Sequence, residues 1–528
     1  MTSLLWARLA ANAAALPDKA AFIYPEKGIW KTVTYAGLLD SADRFARGLE
    51  ACRVEPGMRA ALMTPPSADF FALAFALLKT GVVPIIVDPA IGLKKAGECL
   101  HESRPDIFIG NGFTHVLRRI FGWGRDSLHY NLTLEKIRRR GSEGNGRFYS
   151  IADDAPAAIV YTSGSTGLPK GAIYSQGNFA AQLDMLRQTF DIRPDEIDLP
   201  AFPLYAIIDA LLGVTSVIPD IHFPVPGRTN PEKVFAAIGQ FKVTNMFASP
   251  VVLDILGRYG ESKNVQLGSL KRVITAGAPA PFRVQEKFKR LLPEDGRLYG
   301  IYGATEGLPI AMIDNNEESH EVREKSARGA GVCLGKPAAG MRVRVIRITD
   351  EPIAIWEESL QVGLNTVGEI TVQGAAVTRG YVAREDVNRL AKIRNGEEVI
   401  HRMGDVGYFD ERGRLWYCGR KSQRVETRDS TFFTEQIEGV FNAHHHVYRT
   451  ALVSVNGEPV LWIELEKEFT NKEQVHCDLA GLAREHPQAS QIKTFLFKKR
   501  FPTDVRHNSK IIREELTALA VRRLRSPR

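Results

Sequence analysis

The segment Tyr161-Thr-Ser-Gly-Ser-Thr-Gly-Leu-Pro-Lys-Gly171 gathers several kinds of phosphate-binding group in one short stretch. Gly164, Gly167 and Gly171 let backbone N–H groups approach phosphate oxygens closely. Thr162, Ser163, Ser165 and Thr166 add hydroxyl donors, and Lys170 adds a positive charge. A Walker A loop closes on Gly-Lys-Ser/Thr. Here Pro169 precedes Lys170 and Gly171 follows it, so the loop belongs to a different class. It comes directly after the apolar run AAIVY, which reads as a buried strand delivering the loop to a site.

The elements that must position this loop are legible from periodicity. AALMTPPS reads as a strand and turn, ADFFALAFALLKTG as a helix and VVPIIVDP as a strand, while NMFASP and KRVITAGAP read as strands running into loops. This alternation predicts α/β layers on largely parallel sheets. Near residue 340 the texture changes: MRVRVIRI, VGEITVQG and GRLWYCG suit antiparallel strands of a barrel-like part. A polar stretch after Gly419 precedes a helix, two strands and a basic helix, which predicts a large domain over 1–420 and a small α+β domain over 421–528. The length, 528 residues, exceeds one ordinary core.

Composition narrows the class. The formal net charge is +8, but Lys and Arg are spread along the chain and form no stripe, which argues against nucleic acid and for anionic small molecules. Five scattered cysteines without a CxxC pair suit neither a disulfide framework nor zinc, and predict a cytoplasmic protein. The apolar stretch 70–87 is interrupted by Lys79, Gly81 and Pro84, so no transmembrane segment is expected. The basic and aromatic stretch Val116–Arg125 reads as an amphipathic helix covering the domain. A membrane surface, a partner protein and a greasy substrate entry are its other open readings.

TSGSTGLPKG resembles the phosphate loop of the acyl-adenylate-forming superfamily, which includes acyl-CoA synthetases, luciferases and peptide-synthetase adenylation domains. Further motifs occur in that superfamily's order: Ala276-Gly-Ala-Pro279, Tyr302-Gly-Ala-Thr-Glu306, Gly404-Asp405, Gly419-Arg420 and Lys510 within DVRHNSKIIREEL. The resemblance implies ATP and Mg²⁺ as cofactors and a mobile small domain carrying a catalytic lysine. It implies that Thr162, Ser163, Gly164, Ser165, Thr166, Gly167 and Lys170 hold phosphates. Gly277, Ala278, Pro279, Tyr302, Gly303, Ala304 and Thr305 would line the adenine site, with Asp405 and Arg420 at the ribose. Glu306 and Thr166 would take the metal, and Lys510, Glu306, Thr166 and Lys170 would serve catalysis. Chemistry agrees: a carboxylate is a hard ligand for Mg²⁺, and a lysine offsets the charge that develops when a carboxylate attacks a phosphate.

Several departures touch the step after adenylation. In acyl-CoA ligases a glycine pair lets a hairpin approach the thiol tunnel; here those positions are Arg428 and Asp429. The histidine of a PLFH stretch is replaced in Pro203-Leu-Tyr-Ala206, the hinge position is Ser422, and Ser509 precedes Lys510. ITAGAPAP, YGATEGLP, GRKSQRVET, the FNAHH region and RHNSKI are together similar to the β-lactone synthetases of bacterial long-chain olefin biosynthesis. That resemblance implies a long-chain 2-alkyl-3-hydroxy acid as substrate, activated as its adenylate and closed by its own 3-hydroxyl. It leaves association with other olefin-pathway enzymes open. A base for the hydroxyl would help, with His507 or Asp209 as candidates. A long-chain acyl-CoA ligase is the alternative reading.

Overall fold

The computed structural model describes residues 3–88, 91–144, 146, 149–162, 169–221, 225–315, 320–466, 469, 471–503 and 510–525. A large N-terminal domain of α/β layers is followed by a smaller C-terminal one. In the first sheet, strands Tyr130–Leu132, Ile107–Gly110, Arg59–Met63, Val83–Val87 and Pro156–Thr162 run parallel, and Lys170–Ser175 closes the edge antiparallel. Helices cover both faces, which is why these strands read as continuous apolar runs. The helix Ala68–Thr80 shows the local logic. Ser67 caps its first turn by accepting from the Phe70 N–H, and Gly81 ends it in the left-handed region at φ 71°. Nearly every side chain between them is buried, with Phe71 stacked on Phe22 at 4.7 Å. Each such aromatic contributes about 1.5–3 kcal/mol by leaving water.

The second sheet has the antiparallel pair Ile29–Thr34 and Ala20–Glu26 at one edge and continues as parallel strands, Thr215–Val217, Ile197–Pro200, Asn245–Ala248, Arg272–Thr275 and Arg297–Ala304. It then turns antiparallel through Gly307–Asp314, Val332–Pro337, Leu415–Arg420, Glu398–Phe409, Gly368–Gln373 and Arg342–Ile346. The antiparallel part therefore starts at Gly307, earlier than the change of texture near residue 340. The cause is a connection of only Thr305 and Glu306, too short for a crossover and able only to return the chain as a hairpin.

The C-terminal domain has cores of its own. Phe441, Leu452, Leu461 and Leu479 pack on one side of its sheet, and Trp462, Phe501 and Leu516 on the other. Its hairpin Val447–Val455 to Glu458–Leu465 turns on Asn456 and Gly457 at φ 52° and 79°, as a type I′ turn requires. Arg424 with Asp350 and Lys421 with Glu369 hold the chain just after Arg420 against the large domain, and Arg283 pairs with Glu466 of the C-terminal one.

One expectation is corrected. The helix Gly112–Phe121 does not cover the domain with its apolar face. Phe113, Val116 and Ile120 point to solvent, and none of its residues is buried. No helix of the described residues is long and apolar enough to cross a membrane.

Candidate active site

The site is assembled where the two textures of the second sheet meet. Tyr302 and Ala304 end the last parallel strand, Glu306 occupies the hairpin turn, and Asp405 and Arg420 lie directly opposite each other on the strands Glu398–Phe409 and Leu415–Arg420. Cross-strand pairing brings those two side chains together, with an N–O separation of 3.0 Å. The Tyr302 hydroxyl donates to Asp405 Oδ2 at 2.7 Å. Asp405 is 3% exposed, and its Oδ1 has no hydrogen-bond donor among the described residues, because the contact with Arg420 lacks hydrogen-bond alignment. Burial raises its pKa above the usual carboxylate value, and Arg420, the Tyr302 hydroxyl and Lys510 each pull it back. Lys510, more than a hundred positions later, thus acts electrostatically on the same carboxylate.

Glu306 is held by residues that motif reading missed. The Tyr381 hydroxyl donates to its Oε1 at 2.6 Å, and the Thr378 N–H donates to its backbone carbonyl at 2.8 Å. Tyr381 is fixed in turn because the chain at 380–382 bonds to the strand after the phosphate loop: Val382 N–H to Gly171 O at 2.9 Å, and Ile173 N–H to Gly380 O at 3.1 Å. Gly171 is required there, since a Cβ would lie 2.8 Å from both Tyr161 and Val382. Two lysines flank the Tyr381 ring, Lys170 at 5.6 Å and Lys392 at 5.5 Å from its centre. Burial lowers the Lys170 pKa, and Glu306 opposes that shift. Enclosure pushes Lys392 down to about 7 despite Glu306, while its ammonium donates to the Thr378 carbonyl. Neither Tyr381 nor Lys392 carries a sequence signal beyond a tyrosine after Gly380 and a lysine between Ala391 and Ile393.

Gly277, Ala278 and Pro279 lead from the strand Arg272–Thr275 into the same region, with Gly277 at φ 95°, a conformation that favours glycine. Gly303 admits no Cβ, which would meet Leu308 at 2.4 Å. Tyr174 donates to Thr305 O and anchors the turn from below. Thr162 pairs through its backbone with Lys170 at the mouth of the phosphate loop. Ser163, Gly164, Ser165, Thr166 and Gly167 lie outside the described residues, as do His507 and Ser509.

Other singled-out residues sit elsewhere. Asp209 is 4% exposed in the helix Tyr205–Leu212, where it accepts from the Ser216 hydroxyl at 2.6 Å and faces Asp198. Burial and the neighbouring carboxylate of Asp198 raise its pKa above the ordinary value, and its bond to Ser216 turns it into the protein interior. Ala206 is fully buried at the start of that helix, beside a Tyr205 ring stacked 4.1 Å from Phe247. Arg428 and Asp429 form the exposed tip of the hairpin between Val425–Glu426 and Thr431–Phe432.

The donor set can accept the ligands of an adenylate-forming reaction. Asp405 Oδ1, ion-paired with Arg420 but without a hydrogen bond among the described residues, has the acceptor chemistry a hydroxyl donor needs. Tyr381 takes only one oxygen of Glu306, which suits a cation that needs few protein ligands beside phosphate and water.

Comparisons with known proteins agree with this geometry. Residues 9–382 match the family described as AMP-binding enzyme. The chain is 40% identical over 510 residues to an olefin beta-lactone synthetase of Xanthomonas campestris pv. campestris, covering 93% of this chain and 91% of that one. It is 39% identical over 508 residues to an olefin beta-lactone synthetase of Stenotrophomonas maltophilia, with the same shares covered. In fold it is similar to an O-succinylbenzoate CoA synthetase from Bacillus subtilis in complex with ATP and magnesium ion, with a TM-score of 0.77 over 96% of this chain and 98% of that one at 22% identity. Motif order, site geometry and these similarities lead to one conclusion: the chain belongs to the AMP-binding enzyme family, whose members are ATP-dependent and form AMP.

Proposed function

We propose that the chain activates a long-chain 2-alkyl-3-hydroxy acid with ATP and closes it to a β-lactone, releasing pyrophosphate and AMP. The observation that carries this reading is the 40% identity to an olefin beta-lactone synthetase along 93% of the chain. In the first step a carboxylate oxygen of the acid bonds to the α-phosphorus and the bond to the β-phosphate bridge breaks. Asp405 Oδ1 accepts from a ribose hydroxyl, and Tyr302 presents its ring to the adenine while its hydroxyl stays on Asp405. Lys510 and Lys170 offset the charge that builds between two anions. Mg²⁺, held by Glu306 and Thr166, would neutralise phosphate charge when bound. Tyr381 keeps Glu306 in place for it.

In the second step the 3-hydroxyl oxygen attacks the acyl carbonyl, the acyl–phosphate bond breaks, and the hydroxyl proton leaves with AMP as the other product. The nucleophile is tethered, so the site needs only to hold a folded conformer and to exclude water. No acceptor has to enter, which fits Arg428 and Asp429 standing where a thiol route would call for glycine. We place the domain boundary between Arg420 and Lys421, with 421–528 moving as a unit to bring Lys510 to the site. Pathway partners are outside this reading. The test is incubation of purified protein with ATP, Mg²⁺ and such an acid without CoA. β-Lactone and AMP in equal amounts support the reading; AMP formation without lactone sinks it.

A further inference from the structure

We propose that the helix Gly112–Phe121, with the start of the adjacent helix Leu93–Ser103, docks on an anionic lipid bilayer. A helix on a globular domain normally turns its apolar stripe inward; this one keeps Leu117 inward and turns its larger apolar set outward. Phe113, Val116 and Ile120, spaced i, i+3, i+7 on one face, are 70%, 52% and 69% exposed. Toward the protein the helix packs Leu117 against the core beside two polar side chains: His115 Nε2 bonds the Leu132 carbonyl at 3.0 Å, and the Arg118 guanidinium lies 5.7 Å from the centre of the Phe108 ring. An outward apolar face of this kind gains free energy when an apolar phase outside the chain receives it.

The patch is concentrated. Of the eleven exposed large hydrophobic side chains among the described residues, Leu93, Phe113, Val116, Ile120 and Phe121 are five. Its flanks are cationic: Lys94, Lys95, Arg119 and Arg125 are all exposed, and none has an acidic partner within ion-pair distance among the described residues. Between Asn111 and Arg125 the sequence contains no acid. Aromatic and aliphatic side chains flanked by unpaired cations match the boundary of an anionic bilayer, where the stripe enters the acyl region and the cations meet phosphate headgroups. A protein interface would instead deplete lysine from its centre and pair its charges. A cleft of about 610 Å³ leads from Leu93 and Phe121 past Trp123 to Pro169, the neighbour of Lys170, so the surface lies beside the site. The inference rests on this helix and not on the lactone reading.

Co-sedimentation of the full chain with phosphatidylcholine vesicles, with and without phosphatidylglycerol, tests it. We expect binding to the mixed vesicles, weakened by salt, and lowered about tenfold or more by the double substitution Phe113→Ser/Ile120→Ser. The thermal midpoint of that variant, whose replaced side chains are exposed, should stay at the wild-type value and serve as the folding control. Absence of wild-type binding to mixed vesicles, or equal binding by the variant, overturns the proposal. A wild-type dimer in gel filtration that the variant dissociates also overturns it, because a second copy then covers the stripe.

Discussion

Tyr381 reaches Glu306 from 75 positions away through one hydroxyl. Tyr381→Phe keeps the ring between Lys170 and Lys392 and removes that donor, so ATP–pyrophosphate exchange should fall by about tenfold, the effect of one hydrogen bond to a charged group. Lys510→Ala should lower the same exchange by about a hundredfold or more while ATP binding, read by calorimetry, changes little. A loss of binding equal to the loss of rate would make Lys510 a simple anchor. Asp405 offers a pH test. Its pKa lies above the ordinary carboxylate value because burial outweighs Arg420. Removing the guanidinium in Arg420→Met must raise it further, so the acid limb of kcat/KM for ATP should move up by about one pH unit. An unmoved limb would mean another group governs it. Asp405, Glu306 and Lys510 were legible because each stands within a motif of fixed order. Tyr381 and Lys392 were not, because their roles arise only when the 380–382 segment pairs with the strand after the phosphate loop.

At the level of elements, alternation of apolar strands and helices foretold both sheets, since a strand covered on both faces has to be apolar throughout. The hairpin at Thr305–Glu306 was not foretold, because two residues between strands look the same in sequence as the mouth of a longer loop. The direction of the apolar stripe on Gly112–Phe121 was equally hidden: periodicity reveals that a helix has two faces, not which of them meets the domain. Two packing features make predictions. Asp198, pushed up to about 7, and Asp209, raised well above its ordinary value, face each other behind the helix Tyr205–Leu212. Carboxyls with raised folded-state values stabilise the fold below their ordinary pKa, and that contribution is lost as pH rises through the folded value. The stability of the wild type should therefore fall as pH rises from the ordinary carboxylate range towards about 7, by about 1 kcal/mol per pH unit, and Asp209→Asn should flatten that fall. A parallel decline in both proteins would mean that other groups set the pH dependence. Gly419 lies at φ 131° with Thr434 Oγ1 only 2.2 Å from where a Cβ would stand. Gly419→Ala should cost about 1–3 kcal/mol of stability in denaturant unfolding and loosen the seat of the C-terminal domain.

Across the whole molecule, the two domains divide the work. The large domain supplies Tyr302, Glu306, Asp405 and Arg420 from one junction of its second sheet, and the small one brings Lys510 within electrostatic reach of Asp405. Arg513, three residues beyond Lys510, is locked to Glu438 at 2.6 and 3.0 Å and to Gln423 at 3.2 Å, so the position of the lysine is tied to the residues just after the proposed boundary. In the proposed reaction this arrangement serves the adenylation step. The fate of the adenylate then depends on the acceptor, and a tethered hydroxyl needs no second substrate to arrive. The most direct measurement is therefore a product assay with ATP, Mg²⁺ and a long-chain 2-alkyl-3-hydroxy acid, run with and without CoA. The account predicts β-lactone and AMP at the same rate in both. A thioester that forms only when CoA is present, with no lactone in its absence, would contradict it.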